Sequence, residues 1–373
     1  MEAIYPSLII EALKKVRYPG TDKNIVDLGM VEDDIRIDGK KVSFSLIFPK
    51  QTDPFIKSIV RSAEQSILAF VGQDVDIVGN ISVKTPAAAG HEEEKTPVLP
   101  GVKNIIAVSS GKGGVGKSTV AANLAVALAN EGYKVGLLDA DIFGPSVPKM
   151  FGIEQEQLYV HDVDGRQMII PIERYGVKLL SIGLVIDTDK AAVWRGSMAS
   201  NALRQLIEQG DWGTLDYFLI DMPPGTGDIH LTLVQTLGIT GALIVTTPQQ
   251  VALADAKKGI SMFREPRINV PVLGIVDNMA WFTPESHPEE RYYIFGNDND
   301  VDKVAQDYGL PVLARIPLVA SVGDHNDAGA PVVLDHNSLM SGIFTHLAHE
   351  VVAAVDARND ALPPTVKVDV AKK

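Results

Sequence analysis

Residues 104–123 read NIIAVSSGKGGVGKSTVAAN, and this stretch predicts the fold of the larger part of the chain. Ile105 to Ser109 are mostly apolar and β-branched, as in a buried strand, and a glycine-rich turn follows them. From Ser118 onward, apolar residues return at helical spacing. The stretch therefore predicts a strand, a phosphate-binding loop and a helix in succession.

The glycine-rich turn matches the pattern G-x-x-x-x-G-K-S/T. In such a loop, backbone N–H groups and the N-terminus of the following helix bind a polyphosphate. We expect Lys117 to contact the outer phosphates and Ser118 to ligate Mg²⁺; the alternative is a tight glycine turn that only enters a helix. The predicted nucleotide-binding loop comprises Gly111, Lys112, Gly113, Gly114, Val115, Gly116, Lys117, Ser118 and Thr119.

The loop contains a second lysine, Lys112, directly after its first glycine. A second cation beside Lys117 is unfavourable unless it meets additional negative charge. The segment GKGGVGKST resembles the deviant phosphate loop of the MinD/ParA-type ATPases. That resemblance implies that Lys112 crosses the interface of a homodimer and contacts the ATP of the partner, which makes it a catalytic candidate with Lys117. The other interpretation is a solvated loop lysine.

Beyond the loop, strand-like segments alternate with helical ones, which predicts an α/β fold with a mainly parallel sheet covered by helices on both faces. Ligands of such sheets bind at the carboxyl ends of the strands. The predicted strands after the loop are 135–139, 177–182, 217–221, 242–246, 272–278 and 312–316.

Carboxylates end two of these strands. Asp139 and Asp141 lie one residue apart after the first, and Asp221 ends the segment YFLID. We expect Asp141 to orient a water near the γ-phosphate as a catalytic residue, and Ser118, Asp139 and Asp221 to form the Mg²⁺ site. A turn or helix cap is the alternative for the first pair.

Three further residues are predicted to contact the nucleotide. The loop PPGTG after Asp221 contains Gly225, whose N–H we expect to be free to sense the γ-phosphate. Asn278 and Pro317 are predicted to follow late strands, where the base should lie, because an amide can both donate to and accept from an adenine edge.

The N-terminal part predicts a small α+β domain over residues 1–85. Its pattern is a helix capped by Ser7, strands at 30–37 and 41–48 turning at Asp38-Gly39, a helix that is capped by Asp53 and ends at Phe70, and a strand at 75–83. The segments LKKVRYPGT, IVDLGMV and VSFSLIF resemble the iron-sulfur-assembly domain that often precedes ATPases of one family. Where that domain often has Cys-Pro, this chain has Asp53-Pro54.

The remaining boundaries follow from composition. Residues 86–101 are rich in Pro, Ala and Glu and predict an exposed linker, which also explains His91 and its neighbouring glutamates better than a metal cluster does. The predicted ATPase domain is 102–356, and a polar, mobile tail is predicted for 357–373.

The order of GKGGVGKST, DADIFGPS, WRGSMAS, DMPPGTGD, IVDNMAWF and IPL resembles the Mrp family of iron-sulfur cluster carrier proteins, a branch of the MinD/ParA-type ATPases. The resemblance implies Mg²⁺-dependent ATP hydrolysis and transfer of a [4Fe-4S] cluster to apoprotein targets, or work with iron-sulfur assembly factors.

The chain departs from this family where a cluster would be bound. Carriers typically have Cys-x-x-Cys between the positions of Met279 and Tyr292, whereas this chain of 373 residues has no cysteine at all. A lone loop histidine, His287, does not replace thiolates. The alternative function is therefore an ATP-dependent dimerisation switch or scaffold that carries no cluster.

Charge and composition limit the other partners. The net charge of −13 and the lack of a dense Lys/Arg run argue against nucleic acid. Without a leader sequence or an apolar stretch of about 18 residues, we expect a soluble, cytoplasmic protein with no membrane partner. The C-terminal lysines, Lys367, Lys372 and Lys373, are too sparse for a MinD-like membrane cycle.

Overall fold

The computed structural model describes residues 6–365 except 20, 22, 33, 39, 49–52, 85–97, 143, 164, 186–195, 285, 288 and 298. The chain divides into two compact units, Met1–Lys95 and Thr96–Lys373. The predicted turn at Gly39, most of the predicted linker, including His91, and the end of the predicted tail lie outside the described residues.

The first unit is a small sheet packed with two helices. Its elements are α1 (Pro6–Leu13), β1 (Arg36–Asp38), β2 (Lys41–Ile47), α2 (Ile56–Phe70) and β3 (Ile81–Lys84). The sheet order is β1-β2-β3, with β1 antiparallel and β3 parallel to β2. The parallel pairing is possible because α2 provides the crossover between β2 and β3.

Three predicted elements of this unit are shorter in the structure, and one of them is the strand predicted at 75–83, which is regular only over Ile81–Lys84. The strand predicted at 30–37 is regular only from Arg36, although Val31 forms an isolated bridge with Leu46. Asp53 does not cap the helix, because α2 begins only at Ile56 and the Asp53 Oδ1 accepts the N–H of Phe55 at 2.8 Å in the preceding turn. A cap at Ser7 predicts Leu8 as the first helical residue, but α1 begins two residues earlier, at Pro6.

The second unit alternates strands and helices. Its elements are β4 (Val102–Ser109), α3 (Lys117–Asn130), β5 (Val135–Asp139), α4 (Val147–Met150), β6 (Tyr159–Val163), β7 (Arg166–Ile170), β8 (Ile172–Arg174), β9 (Val177–Ser181), α5 (Gly196–Gln209), β10 (Leu215–Asp221), α6 (Asp228–Thr236), β11 (Gly241–Thr246), α7 (Gln250–Arg264), β12 (Val272–Phe282), α8 (Asp300–Tyr308), β13 (Val312–Leu318), α9 (Ala320–Asp327) and α10 (Leu339–Ala361).

An eight-stranded sheet organises this unit, in the order β13-β12-β11-β4-β10-β5-β9-β8. All neighbours are parallel except the edge strand β8, which runs antiparallel to β9. Strand β4 lies in the interior of the sheet, so the phosphate loop that follows it emerges at the middle of the carboxyl edge. The predicted mainly parallel α/β fold is confirmed.

Each face of the sheet has its own hydrophobic core. Along β4, Ile106 and Val108 pack into the core that contains α3 and α10, while Ile105 and Ala107 pack into the core that contains α5, α6 and α7. Successive strand residues point to opposite faces, so a strand covered on both sides is a continuous apolar run. This is why β4 was recognisable as a buried strand.

Boundaries at the C-terminal end differ from the sequence expectation. Strand β12 continues past Asn278 to Phe282, with an irregularity in its pairing with β13. Helix α10 extends to Ala361, so the predicted domain end at 356 falls inside a regular helix. Among the described residues, no helix combines the length and the apolar character that crossing a membrane requires.

Candidate functional site

The phosphate loop is positioned by one close backbone approach, at Gly111, and by one left-handed residue, Gly116. At Gly111, an added Cβ would lie 2.1 Å from the carbonyl carbon of Asp255, so only glycine fits there. Gly116 has a φ of 79° and precedes the first helical residue, Lys117. The free N–H groups of the first turn of α3 therefore face the loop, as binding of a phosphate requires.

A cleft of about 260 Å³ lies over this loop. It is lined by most of the predicted loop residues, by Asp141, and by residues from the segments that follow β5 and β10. The lining residues are Ser110, Lys112, Gly113, Gly114, Gly116, Lys117, Ser118, Thr119, Asp141, Gly144, Ser146, Met150 and Pro224. Three strand ends that are distant in sequence thus meet at one cleft.

Lys117 is the charged centre of the site. Its Nζ donates to Asp221 Oδ1 at 2.5 Å and to Ser118 Oγ at 3.2 Å, and it lies 3.8 Å from Asp141 Oδ2. The Lys117 side chain is only 6% exposed and that of Asp221 is 0% exposed. The structure therefore brings together four residues that the sequence predicted to cooperate, and it pairs the lysine with carboxylates.

Two carboxylate oxygens at the site have no hydrogen-bond partner among the described residues: Asp221 Oδ2 and Asp141 Oδ1, both buried. Burial raises the pKa of Asp221, while the nearby Lys117 ammonium opposes that shift. Buried oxygens without a partner are unfavourable unless a cation or donor binds them. Together with the Ser118 hydroxyl, they fit a hard cation such as Mg²⁺.

Asp139 has a different arrangement from the one expected of a metal ligand. Its Oδ1 accepts the N–H of Asp141 at 3.1 Å, and its Oδ2 accepts the N–H of Val147 at 3.3 Å and the hydroxyl of Ser181 at 2.9 Å. Burial, followed by the neighbouring Asp221 carboxylate, raises the pKa of Asp139, while the hydrogen bonds that it accepts from the Asp141 N–H and the Ser181 hydroxyl oppose that shift. Since both oxygens are committed within the protein, the geometry does not favour Asp139 as a Mg²⁺ ligand.

The residues predicted to read the γ-phosphate and the base make contacts within the protein. The N–H of Gly225 donates to the carbonyl of Ser110 at 3.0 Å, so the expectation that this N–H is free is wrong. Asn278 Nδ2 donates to the carbonyl of Val115 at 2.8 Å, which ties β12 to the phosphate loop. Pro317 is buried inside β13 and does not follow it.

Lys112 lies in the wall of the cleft and is partly buried. No ion pair joins its ammonium to another residue of the described part of the chain. Its carbonyl accepts the hydroxyl of Ser110 at 2.9 Å, which holds the backbone of the loop's second residue. The position is compatible with a charge directed at a group outside this chain.

Sequence reasoning missed two buried polar residues beside the site. Ser181 ends β9 next to Asp139. The strand was predicted to end one residue later, at 182, so Ser181 was not recognised as a polar residue at a strand end. His230, in α6, is buried, and desolvation lowers its pKa to about 4. A histidine in a helix gives no sequence signal of such burial.

The segment where a cysteine pair was expected forms a closed loop. Phe282 and Tyr292 exchange backbone hydrogen bonds of 2.8 and 2.9 Å. Between them, His287, Glu289 and Glu290 are exposed and lie close to one another. Exposed carboxylates near a histidine are common on surfaces, and among the described residues of this segment no buried side-chain N or O atom lacks a hydrogen-bond partner.

Each of the two units matches a known protein family. A family model described as NUBPL iron-transfer P-loop NTPase matches residues 101–352, and one described as iron-sulfur cluster assembly protein matches residues 7–78. An iron-sulfur cluster carrier protein of Aquifex aeolicus is 43% identical over 367 residues, spanning 94% of this chain and 98% of the relative.

Two solved structures extend the comparison. The nucleotide-binding protein of Archaeoglobus fulgidus in complex with ADP is 39% identical, with a TM-score of 0.53, and the match covers 62% of this chain and 88% of that one. The septum site-determining protein MinD of Pyrococcus horikoshii, complexed with Mg-ADP, is 24% identical with a TM-score of 0.52 over 68% and 98% of the two chains, and shows a shared fold. The chain therefore belongs to the family of iron-sulfur cluster carrier proteins built on a NUBPL-type P-loop NTPase domain.

Proposed function

We propose that this protein is a Mg²⁺-dependent ATPase that acts as an ATP-driven switch in iron-sulfur cluster assembly and holds no cluster through thiolates of its own. The observation that carries the proposal is the convergence of Lys117, Ser118, Asp141 and Asp221 behind one glycine-rich loop. The relative from Archaeoglobus fulgidus with ADP supports a nucleotide as the ligand.

ATP would bind to the phosphate loop, and Lys117 would exchange its contact with Asp221 for one with the nucleotide. The first-turn N–H groups of α3 would receive the phosphates, and Lys117 would turn from Asp221 towards the outer phosphate oxygens. Ser118 and the unpaired Oδ2 of Asp221 would then hold Mg²⁺. A bound Mg²⁺ neutralises the charge that develops on the phosphates during hydrolysis.

Hydrolysis requires a residue that orients water, and Asp141 is the candidate. It lines the cleft, and its Oδ1 has no partner among the described residues, so it can accept a hydrogen bond from water. Its other oxygen, Oδ2, lies 3.8 Å from the Lys117 ammonium nitrogen at the same cleft. We place Asp141 as the water-orienting residue on these contacts.

A homodimer would complete the cycle. Lys112 lies at the cleft without an ion-pair partner in the described residues, while Lys117 already supplies the cation of its own site. An ammonium that reaches the triphosphate of a second copy would make assembly depend on ATP. Apoprotein targets or assembly factors would then respond to the nucleotide state.

The absence of cysteine supports the switch over the carrier. Iron-sulfur clusters are bound by thiolates, and histidine replaces only part of that set in known centres. This chain offers no thiolate in 373 residues, and in the described part of segment 279–292 the histidine and carboxylates that lie close together, His287, Glu289 and Glu290, are exposed. The switch is therefore the function that its own chemistry supports best.

Phosphate release from ATP, measured with Mg²⁺ and with excess EDTA, tests the ATPase. We expect turnover only with Mg²⁺ and its loss in Lys117→Ala. Lys103→Ala is a matched control, because Lys103 forms an exposed ion pair with Asp216. Equal turnover in both variants would contradict the assignment.

Anaerobic reconstitution with iron and sulfide tests the switch. We expect no stoichiometric cluster on the purified protein, read by absorbance of the thiolate-to-iron charge-transfer bands. A stoichiometric cluster would overturn the switch and restore the carrier, whatever the ATPase result.

A further inference from the structure

We propose that Asp139 is a positioning residue that fixes the loop bearing Asp141, and that Ser181 and Gly183 act with it. This inference rests on the proposed ATPase and changes the role predicted for Asp139. We call residues 141–147 the Asp141 loop; Phe143 lies outside the described residues.

Asp139 binds both ends of the Asp141 loop. Its Oδ1 accepts the N–H of Asp141, the first residue of the loop, at 3.1 Å. Its Oδ2 accepts the N–H of Val147, the last residue, at 3.3 Å. A single side chain that is 0% exposed thus closes the loop at its base. The loop contributes Asp141, Gly144 and Ser146 to the cleft wall.

Ser181 anchors this carboxylate to the neighbouring strand. Asp139 and Ser181 are directly opposed in the pairing of β5 with β9, and the Ser181 hydroxyl donates to Asp139 Oδ2 at 2.9 Å. The same hydroxyl oxygen accepts the N–H of Gly183 at 3.0 Å. Asp139 is therefore held from one side while it holds the loop on the other.

Gly183 supports the middle of the loop by steric contact. An added Cβ at this position would lie 2.6 Å from Pro145 Cβ and 2.8 Å from Pro145 Cγ. The proline ring therefore rests against the glycine backbone with no room for a side chain. The Asp141 loop is contacted at both ends through Asp139 and at its middle by Gly183.

Only a carboxylate satisfies this arrangement. Three donors point at its two oxygens, and an amide offers one acceptor oxygen and an NH₂ group that would face a donor. Asp139→Asn must therefore lose at least one of the three hydrogen bonds. Because a misplacement of about 1 Å can lower a rate by roughly 10²-fold, the Asp141 carboxylate would orient water less well.

The test compares Asp139→Asn and Ser181→Ala with two matched controls. The first control is Asp216→Asn. In the unmodified protein, Asp216 Oδ2 accepts the backbone N–H of Lys134 at 2.9 Å, near the opposite edge of the sheet. The second control, Ser341→Ala, removes a buried hydroxyl that donates to the Val333 carbonyl at 3.0 Å. Both controls repeat the chemistry of the change away from the cleft.

Amide hydrogen exchange of the nucleotide-free protein is the first measurement. We expect the amides of Asp141 and Val147 to exchange roughly tenfold faster or more in Asp139→Asn, because each loses or weakens a hydrogen bond to a charged group. Ser181→Ala should accelerate the same two amides to a smaller extent, and the controls should leave them unchanged. Unaltered exchange in both test variants would overturn the proposal. This measurement needs no ATPase activity, so it is decisive even if the proposed function fails.

Steady-state kinetics is the second measurement. We expect kcat to fall by about 10- to 100-fold in Asp139→Asn, with KM for ATP and the Mg²⁺ concentration for half-maximal rate close to those of the unmodified protein. A large rise in the Mg²⁺ requirement, with the rate restored at high Mg²⁺, would instead make Asp139 a metal ligand. If Asp139→Asn does not fold, Ser181→Ala decides by the same two measurements.

Discussion

Replacement of Lys117 by alanine should destabilise the protein even without nucleotide. Lys117 Nζ lies 2.5 Å from Asp221 Oδ1 and 3.8 Å from Asp141 Oδ2, and the side chains of Lys117 and Asp221 are 6% and 0% exposed. Removing the ammonium leaves two buried carboxylates beside Asp139 without their cation. The variant should therefore lose folding free energy as well as ATP binding.

The size of this loss of folding free energy follows from the distance between Lys117 Nζ and Asp221 Oδ1. At an effective dielectric constant of about 20, two unit charges at this separation attract by about 7 kcal/mol, and desolvation of both groups offsets much of that. Removal of one partner of a buried ion pair costs about 3 to 5 kcal/mol. For a unit of this size, such a loss corresponds to a decrease in Tm of roughly 10 °C.

The loss of folding free energy in Lys117→Ala should grow as the pH rises. Burial already raises the pKa of Asp221, and removal of Lys117 raises it further. A carboxyl whose pKa is higher in the folded than in the unfolded state destabilises the fold as pH rises above the unfolded value, near 4. The difference between variant and unmodified protein should thus be larger at pH 8 than at pH 5.5.

Urea denaturation at these two pH values, with nucleotide removed, measures the effect. The double variant Lys117→Ala/Asp221→Asn should recover part of the lost free energy, because it removes the unpaired charge. If the single variant is as stable as the unmodified protein at pH 8, the pair does not stabilise the fold and the argument fails.

Three further changes probe the site. Lys112→Ala should leave ADP binding intact and abolish the dimer seen with a slowly hydrolysed ATP analogue; equal dimer fractions in sedimentation would make Lys112 an ordinary loop lysine. Asp141→Ala should retain Mg²⁺-ATP and hydrolyse it about 100-fold more slowly or worse, and normal turnover of bound ATP would show that the role is misassigned. Burial lowers the pKa of His230 to about 4, so the folded protein resists protonation and loses stability as pH falls from about 6.5 towards 4, by up to about 3 kcal/mol. His230→Gln should flatten the profile of stability against pH between about 6.5 and 4. An unchanged profile would show that burial of His230 does not cause the loss.

Features that depend on neighbouring residues could be predicted from the amino-acid sequence. The spacing from Gly111 to Ser118 sets the loop, because backbone conformation and helix start are local properties. The apolar runs before Asp139 and Asp221 predicted parallel strands, and parallel strands bring their carboxyl ends to one edge. Strand 135–139 was predicted with its observed bounds, and the meeting of Lys117 with Asp141 and Asp221 followed from the same reasoning.

Hydrogen-bond partners across the fold could not be obtained in this way. Asn278 reaches the Val115 carbonyl from 163 residues away, and Ser181 reaches Asp139 from 42 residues away. A hydrogen bond forms only within about 3 Å and over a narrow range of angles, so a side chain's partner depends on how the strands and loops pack. For that reason the sequence pattern placed Asp139 in the metal site and left Gly225 with a free N–H, whereas packing directs Asp139 to the Asp141 loop and Gly225 to Ser110.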